Sequence, residues 1–474
     1  MQVIETDVAV IGAGTAGLNA RRAALERGAR VVLVESGPFG TTCARVGCMP
    51  SKLLIAAADA AQSARDAAVF GIHAAPSIDG RAVMARVQRE RDRYVAGTVK
   101  GIEAIPPEQF LHGRARFLGP DRLAVGEATE LRARSIVVAT GSVPFVPEPF
   151  DRAQVLTSDE IFELAELPDS LAVIGTGVIA LELGQAMHRL GVRTAFFSPF
   201  DELGPLSDPE VIAVVRRDLG AELDLRLKRE MLAAEPGADG TTLRWREPDG
   251  KERTERFARV LVAAGRRPQV AGLGLEATGL ALGRHGVPES DPETGQCGAS
   301  SIFFAGDVAG HRALQHEAAD EGRIVGDNAA LFPAVTRHDR RTALAIAFTD
   351  PQMAMVGLRH EELDPAKHAI GAASYDDQGR ARAMAVNRGL LRVYAARDDG
   401  RIVGAEMFGP AMEHIGQLIA WAVEQRLCVP AALAMPYYHP VLETGLRTAL
   451  RGLAKQLDMT RACRPEDLEE SPGR

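Results

Sequence analysis

The sequence predicts an α/β protein made of two strand–helix–strand nucleotide-binding units followed by a C-terminal α+β domain. Three observations carry this expectation. A glycine triplet follows a short apolar strand near the N-terminus, the same grammar returns at a constant offset, and the texture changes to alternating strands and helices from about residue 341. A chain of 474 residues also suits about three domains, at roughly 100–200 residues each.

Residues 7–11 read as a buried strand, followed by Gly12-Ala-Gly14-Thr-Ala-Gly17, an Ala/Arg/Leu helix that stops at Gly28, and a second apolar run that ends on Glu35. In such a unit Gly12 permits the tight turn, Gly14 lets backbone approach a pyrophosphate at the helix N-terminus, and Gly17 allows close helix-to-strand packing. Glu35, about 20 residues on, is placed to accept from ribose hydroxyls. The pattern recurs as an apolar run at 171–174, Gly175-Thr-Gly177-Val-Ile-Ala180, a helix stopping at Gly191 and a strand at 192–197. Gly12 and Gly28 thus reappear as Gly175 and Gly191, each 163 residues later, which points to an internally duplicated, Rossmann-like dinucleotide fold. Ala180 is an allowed third residue of the fingerprint. Ser198 stands where Glu35 stood. It offers no carboxylate for NAD, and no arginine at or just after it grips the 2′-phosphate of NADP. Asp201 is a second acid there, with a solvated surface aspartate in a Pro-flanked loop as the competing reading.

Between the units lie a helix-rich stretch at 51–105, short strands leading to Ala139-Thr140-Gly141, and a Pro-rich linker at 143–149. A strand at 260–264 capped by Gly265-Arg-Arg-Pro268, and then Ala305-Gly-Asp307, follow the second unit. Strands at 390–394 and 402–408 and a helix at 412–424 give the C-terminal region its α+β character.

Lys and Arg number 55 against 63 Asp and Glu, a net charge of −8. The chain therefore lacks the basic footprint that nucleic acid or an anionic membrane requires. No apolar run reaches the roughly 18 residues of a membrane span, and the fingerprint begins too near Met1 for a targeting peptide. Five cysteines, at 43, 48, 297, 428 and 463, are too few and too odd for a secreted disulfide framework, so a cytoplasmic protein is expected.

Cys43 and Cys48 must then be explained by chemistry. They lie in Gly40-Thr-Thr-Cys43-Ala-Arg-Val-Gly47-Cys48-Met-Pro50-Ser-Lys52, directly after the first nucleotide-binding strand. A zinc site would need further Cys or His ligands at short spacing, and none follow, so no metal is expected. Two unrelated buried thiols are a bland alternative. A dithiol/disulfide pair exchanging electrons with a cofactor in this domain accounts for both spacing and setting. Cys297, Cys428 and Cys463 have no partner at such spacing and read as structural or incidental.

These residues resemble the FAD-dependent pyridine nucleotide disulfide oxidoreductases, and among them the dihydrolipoamide dehydrogenases. The likeness runs over nearly the whole chain in family order: the first fingerprint with Glu35, Cys43-x4-Cys48-Met-Pro-Ser-Lys52, Ala139-Thr-Gly141, Gly175-x-Gly177 with Glu182, Gly265-Arg-Arg-Pro268, Ala305-Gly-Asp307, His316 and His439-Pro440. The resemblance implies FAD in the first unit, with Thr140, Gly141 and His316 on its side and Asp307 on the ribityl chain. It implies a nicotinamide nucleotide, NAD with NADP not excluded, in the second, with Gly265 and Ser198 beside it. Lys52 would pair with Glu182 near the flavin N5, Cys48 would face the flavin, and Cys43 would exchange with a small dithiol or disulfide, a lipoyl domain among the candidates. His439 would act as acid and base from the partner subunit, which implies a homodimer with shared active sites. Taken singly, Lys52 and Glu182 read as helix-surface charges and Asp307 as a turn aspartate. The expected division is a FAD domain at 1–145 and 271–340, an NAD(P) domain at 146–270, and a dimerisation domain at 341–474 with a frayed tail. Rival activities on the same scaffold are a glutathione reductase, a mercuric reductase, for which Cys463 lacks the second C-terminal cysteine, and a redox sensor without turnover. Two departures stand out: Thr41 replaces a family glycine, and Thr444 replaces the glutamate five residues past the catalytic histidine, with Glu443 one position early.

Overall fold

The computed structural model describes residues 2–459, so Cys463 and the tail expected to fray lie outside the described residues. The first sheet has seven strands. Gln2–Ile11 lies at its centre, parallel to Val31–Glu35 on one side and to Thr129–Val138 on the other. Thr129–Val138 shows how burial follows pairing. Its first half alternates buried and exposed residues where it pairs antiparallel with Arg122–Val125, and Ser135–Val138 is wholly buried between Val8–Ile11 and Ile302–Phe304. A strand covered on both faces needs a continuous apolar run, whereas a half-solvated one alternates. Ile302–Phe304 is the chain's return to this sheet after the second unit.

The second sheet is parallel, in the order Asp224–Leu227, Arg193–Ser198, Ser170–Ile174, Arg259–Val262, Leu156–Thr157. A three-stranded antiparallel sheet, Glu230–Gly237, Gly240–Arg246 and Glu252–Phe257, hangs from it. The strand Ser142–Pro144, which takes in the first two residues of the Pro-rich stretch expected as a linker, pairs with Arg266–Pro268 and so holds the two crossings between the units side by side. The C-terminal region is a five-stranded antiparallel sheet with the helices Met412–Glu424, Val429–Ala434 and Thr444–Gln456. Its core is formed by residues such as Tyr375, Val393, Met407, Ile415 and Leu450.

The first unit closes through glycine-mediated helix packing. Helix Thr15–Glu26 lies against helix Gln315–Leu331 so closely that a Cβ at Gly322 would stand 2.3 Å from the Ala16 carbonyl oxygen, and one at Gly326 equally close to that of Ala20. Gly322→Ala is expected to force the helices apart and destabilise the first domain by about 1–3 kcal/mol. Gly97→Ala, with open space on the exposed face of helix Gly80–Glu103, is expected to stabilise by about 0.5–1 kcal/mol. Calorimetric scans of both variants check the pair; similar shifts of the same sign would show that the helix contact tolerates a methyl group.

Candidate active site

Both glycine loops have the form of nucleotide cradles. Gly12 has φ +108° and a Cβ there would meet the Ala139 carbonyl oxygen at 2.4 Å; Gly175 has φ +118° and would meet that of Ala263 at 2.5 Å. A Cβ on Gly17 would lie 1.8 Å from the Gly12 oxygen, so this glycine is fixed by packing. Gly14 and Gly177 differ: each precedes a helix, Thr15–Glu26 and Val178–Arg189, each has open space where its Cβ would be, and neither helix start has a side-chain cap. Their first-turn N–H groups are therefore presented to an anion, as a pyrophosphate requires. Glu35 anchors the first loop, one oxygen accepting from Ala13 N at 2.7 Å and the other from Ser36 and Gly37 N. The Thr140 hydroxyl is buried without a hydrogen-bond partner beside Gly141, which has φ +71° and open space next to it. Asp307 accepts from the Ser142 hydroxyl at 2.6 Å, and Arg266 donates to that hydroxyl at 2.8 Å. An orphaned hydroxyl, uncapped helix starts and glycine space fit a bound dinucleotide in each unit. Gly12, Gly14, Glu35, Thr140, Gly141 and Asp307 would hold FAD, and Gly175, Gly177 and Gly265 the nicotinamide nucleotide. His316 is exposed in the first turn of its helix. Ser198 is 2% exposed, and its hydroxyl accepts from Phe200 N at 3.1 Å.

The dithiol is built by two consecutive helices. Thr41, with φ +56°, adopts the left-handed region that a glycine would enter freely, and its hydroxyl caps the short helix Thr42–Val46 by accepting from Ala44 N. The threonine at this position thus supplies a cap that a glycine could not. Cys48 begins the helix Cys48–Asp66. The Ala- and Leu-rich sequence favours helix, Pro50 is tolerated in the first turn, and Leu54, Ala58 and Ala61 form the buried face. Cys43 and Cys48 are both free thiols. A hydrogen bond from the Cys43 thiol, then the Lys52 charge and the Cys48 N–H at the helix start, bring the Cys48 thiol down to about 7, against the cost of partial desolvation. Cys43 is pushed up, first because its proton is held by the Cys48 sulfur and then by burial. The pair is therefore one donor thiol and one ready thiolate.

Lys52, one turn past Cys48, reaches Glu182 on the second unit's helix with Nζ to Oε2 at 2.7 Å. Phe348 completes this contact and carried no sequence signal: its N–H donates to the other Glu182 oxygen at 2.9 Å and its ring lies 4.3 Å beneath the Lys52 ammonium. Arg266, in the Gly-Arg-Arg-Pro motif that had suggested only Gly265, also proves a site-building residue. His439 is not brought to the cysteines: it is exposed, with no hydrogen-bond or ion-pair partner among the described residues. Neither Glu443 nor Thr444 touches it. Thr444 Oγ1 donates to Val441 O and accepts from Gln378 Nε2, while Glu443 stands near the buried Tyr375 phenol, whose ionisation burial and then that carboxylate oppose.

Residues 6–322 match the family model described as pyridine nucleotide-disulphide oxidoreductase, and residues 344–450 match the dimerisation domain of the same family. The chain belongs to the pyridine nucleotide-disulphide oxidoreductases. It is 33% identical over 470 residues to dihydrolipoyl dehydrogenase 3 of Pseudomonas aeruginosa, covering 94% of this chain and 97% of that one. It is 31% identical over 447 residues to a mercuric reductase of Streptomyces lividans, covering 92% and 93%. Among solved structures, LpdA of Mycobacterium tuberculosis superposes with a TM-score of 0.81 at 25% identity, covering 94% of this chain and 99% of that one. The family is FAD-binding with an NAD(P)-binding domain, in agreement with the two cradles. No helix among the described residues is long and apolar enough to cross a membrane.

The thiolate assignment is open to direct measurement. In the reduced protein, alkylation of Cys48 by iodoacetamide is expected to rise with pH around a midpoint near 7. Cys43→Ala removes the hydrogen bond and Lys52→Met the charge that favour the thiolate, so each should move the midpoint upward. A midpoint that stays put in both variants would refute this account of the low value.

Proposed function

We propose that this protein is a FAD-dependent dihydrolipoyl dehydrogenase, working as a homodimer in the cytoplasm with NAD as its nicotinamide partner. The observation that carries the proposal is the Cys43/Cys48 dithiol with Lys52 one turn on, bridged by the buried Glu182 to the second nucleotide cradle. The choice of dihydrolipoyl dehydrogenase over the mercuric reductase that shares the scaffold is supported by the relatives, among which dihydrolipoyl dehydrogenases predominate. We assign the FAD domain to 1–145 and 271–340, the nucleotide domain to 146–270 and the dimer domain to 341–474.

The chemistry begins from the Cys43–Cys48 disulfide. A substrate thiolate attacks Cys43 Sγ, the S–S bond breaks, and Cys48 leaves as a thiolate that Lys52 and its helix start stabilise. The second substrate thiol gives its proton to His439 of the partner subunit and attacks the substrate's own sulfur in the mixed disulfide, breaking its bond to Cys43. Cys43 leaves and takes the proton from His439, the substrate departs as a disulfide, and the chain holds the two electrons on Cys43 and Cys48. FAD, held by Gly12, Gly14, Glu35, Thr140, Gly141 and Asp307, would supply the chemistry that carries this electron pair as hydride to the nicotinamide. The second subunit is supported by an apolar groove of about 530 Å³ beside His439, where Trp421 and Tyr438 stand 62% and 79% exposed. Large apolar side chains gathered at one open face mark an interaction surface.

Steady-state assays of one preparation against lipoamide, oxidised glutathione and mercuric ion, each with NADH and NADPH, test the proposal. Turnover with lipoamide is expected to exceed the others. Brisk glutathione or mercury turnover with lipoamide inert would replace it, and reduction of the flavin without turnover of any acceptor would favour a sensor.

A further inference from the structure

Dinucleotide-binding folds read the ribose 2′ position at the end of the second strand of the unit, where an acid selects NAD and a cation admits the 2′-phosphate of NADP. Here that strand is Arg193–Ser198, and Ser198 is withdrawn from the cleft: its hydroxyl serves Phe200 N and its carbonyl accepts from Arg229 N at 2.9 Å. The charged groups stand just beyond it. Asp201 pairs through one oxygen with Arg216 of helix Pro209–Glu222, at 2.6 Å, and through the other with Lys228, at 2.8 Å. Lys228 follows the neighbouring strand Asp224–Leu227, has φ +57°, and donates its backbone N–H to Phe200 O at 3.3 Å. Two cations from two different elements therefore converge on one carboxylate at the mouth of the second cradle. The other arginine in reach, Arg229, is committed to Glu247 and Leu227 O.

The loop bearing Asp201 is held in place. Thr176, inside the Gly175-Thr-Gly177 turn, donates its hydroxyl to Glu202 O at 2.8 Å and accepts from Gly204 N at 2.9 Å. At its far end, the fully buried Glu406 of the C-terminal sheet accepts from Ser207 N and Asp208 N. Asp201 is thereby fixed relative to the turn that would carry the pyrophosphate.

We infer that Asp201 is the specificity-determining residue for the nicotinamide nucleotide: its carboxylate fills, as an internal counter-anion, the Arg216/Lys228 site that would otherwise take a 2′-phosphate. The assignment rests on the second unit binding a nicotinamide nucleotide, as proposed above. With Asp201 in place the site presents a carboxylate where the extra phosphate of NADP would have to enter, and repulsion refuses it. With the carboxylate neutralised, the same two cations become a phosphate site. Lys228 and Arg216 are thus latent NADP ligands that one negative charge keeps silent.

Calorimetric titration of the holoenzyme with NAD⁺, NADP⁺ and adenosine 2′,5′-bisphosphate tests this without recourse to turnover. Asp201→Asn is expected to raise the preference for NADP⁺ over NAD⁺ by about tenfold or more, as a new charge-assisted phosphate contact would. It should also make adenosine 2′,5′-bisphosphate bind, with both gains fading at high salt. The double variant Asp201→Asn with Lys228→Met should lose the gain. An unchanged preference in Asp201→Asn, or an unaltered protein that already favours NADP⁺, would overturn the assignment. If the unaltered protein binds neither nucleotide, the function proposed for the second unit falls as well, which separates the two failures.

Discussion

One buried carboxylate ties the three parts of this molecule together. Glu182, 5% exposed, belongs to the second unit's helix; one of its oxygens takes the ammonium of Lys52 from the first unit, the other the Phe348 N–H from the edge of the C-terminal sheet. An ionised carboxylate left alone at such a site would cost several kcal/mol, and removing one member of a buried pair typically costs about 3–5 kcal/mol. Around it a single apolar core joins Leu54 of the first unit, Leu181 of the second and Met353 of the C-terminal sheet. The pair that supplies a positive charge near Cys48 is thus also a polar link between parts that this core holds together. Structural and chemical demands meet in Lys52.

Helix starts differ across the molecule. Some carry a side-chain cap, Asp79 accepting from Ala82 N and Asp208 from Glu210 N, while others, Met412–Glu424 and Thr444–Gln456 among them, have none. What sets apart the two helices that follow the glycine turns is the open space at Gly14 and Gly177 beside their uncapped N–H groups. An uncapped start leaves N–H groups without partners, a cost of about 1 kcal/mol per missing cap, which a bound phosphate offsets. Asp208 does more than cap: it also accepts from Tyr394 and pairs with Arg392, both on the C-terminal sheet. The loop that follows Arg193–Ser198 is thus anchored in a different domain, and the placement of Asp201 depends on residues remote from the glycine fingerprint.

Much of this was legible before any coordinates. The glycine spacing, the repeat, the five-residue dithiol spacing and the switch to alternating strands are set within a few residues by backbone sterics and periodicity. The strands and helices came through within five residues of their expected bounds: the helix at 412–424 matches at both ends, and the first strand departs most, since it runs back to Gln2 beyond the expected start at residue 7. The Pro-rich 143–149 stretch was read as a simple linker because proline suppresses strand patterns. Its strand exists only because Arg266–Pro268 lies beside it.

The sequence by itself determined the fold class and the duplicated glycine turns, and it marked Cys43 and Cys48 as a pair, because those depend on local spacing. Tertiary structure decided which groups meet. Lys52 and Glu182 are 130 residues apart, and their pairing had been implied only by family likeness. That Ser198 turns inward, that Lys228 and Arg216 close on Asp201, and that Thr444 answers to Gln378 rather than to His439 have no local signature at all. A side chain's partner across the fold is set by how separate elements pack, and no window of neighbouring residues encodes that distance.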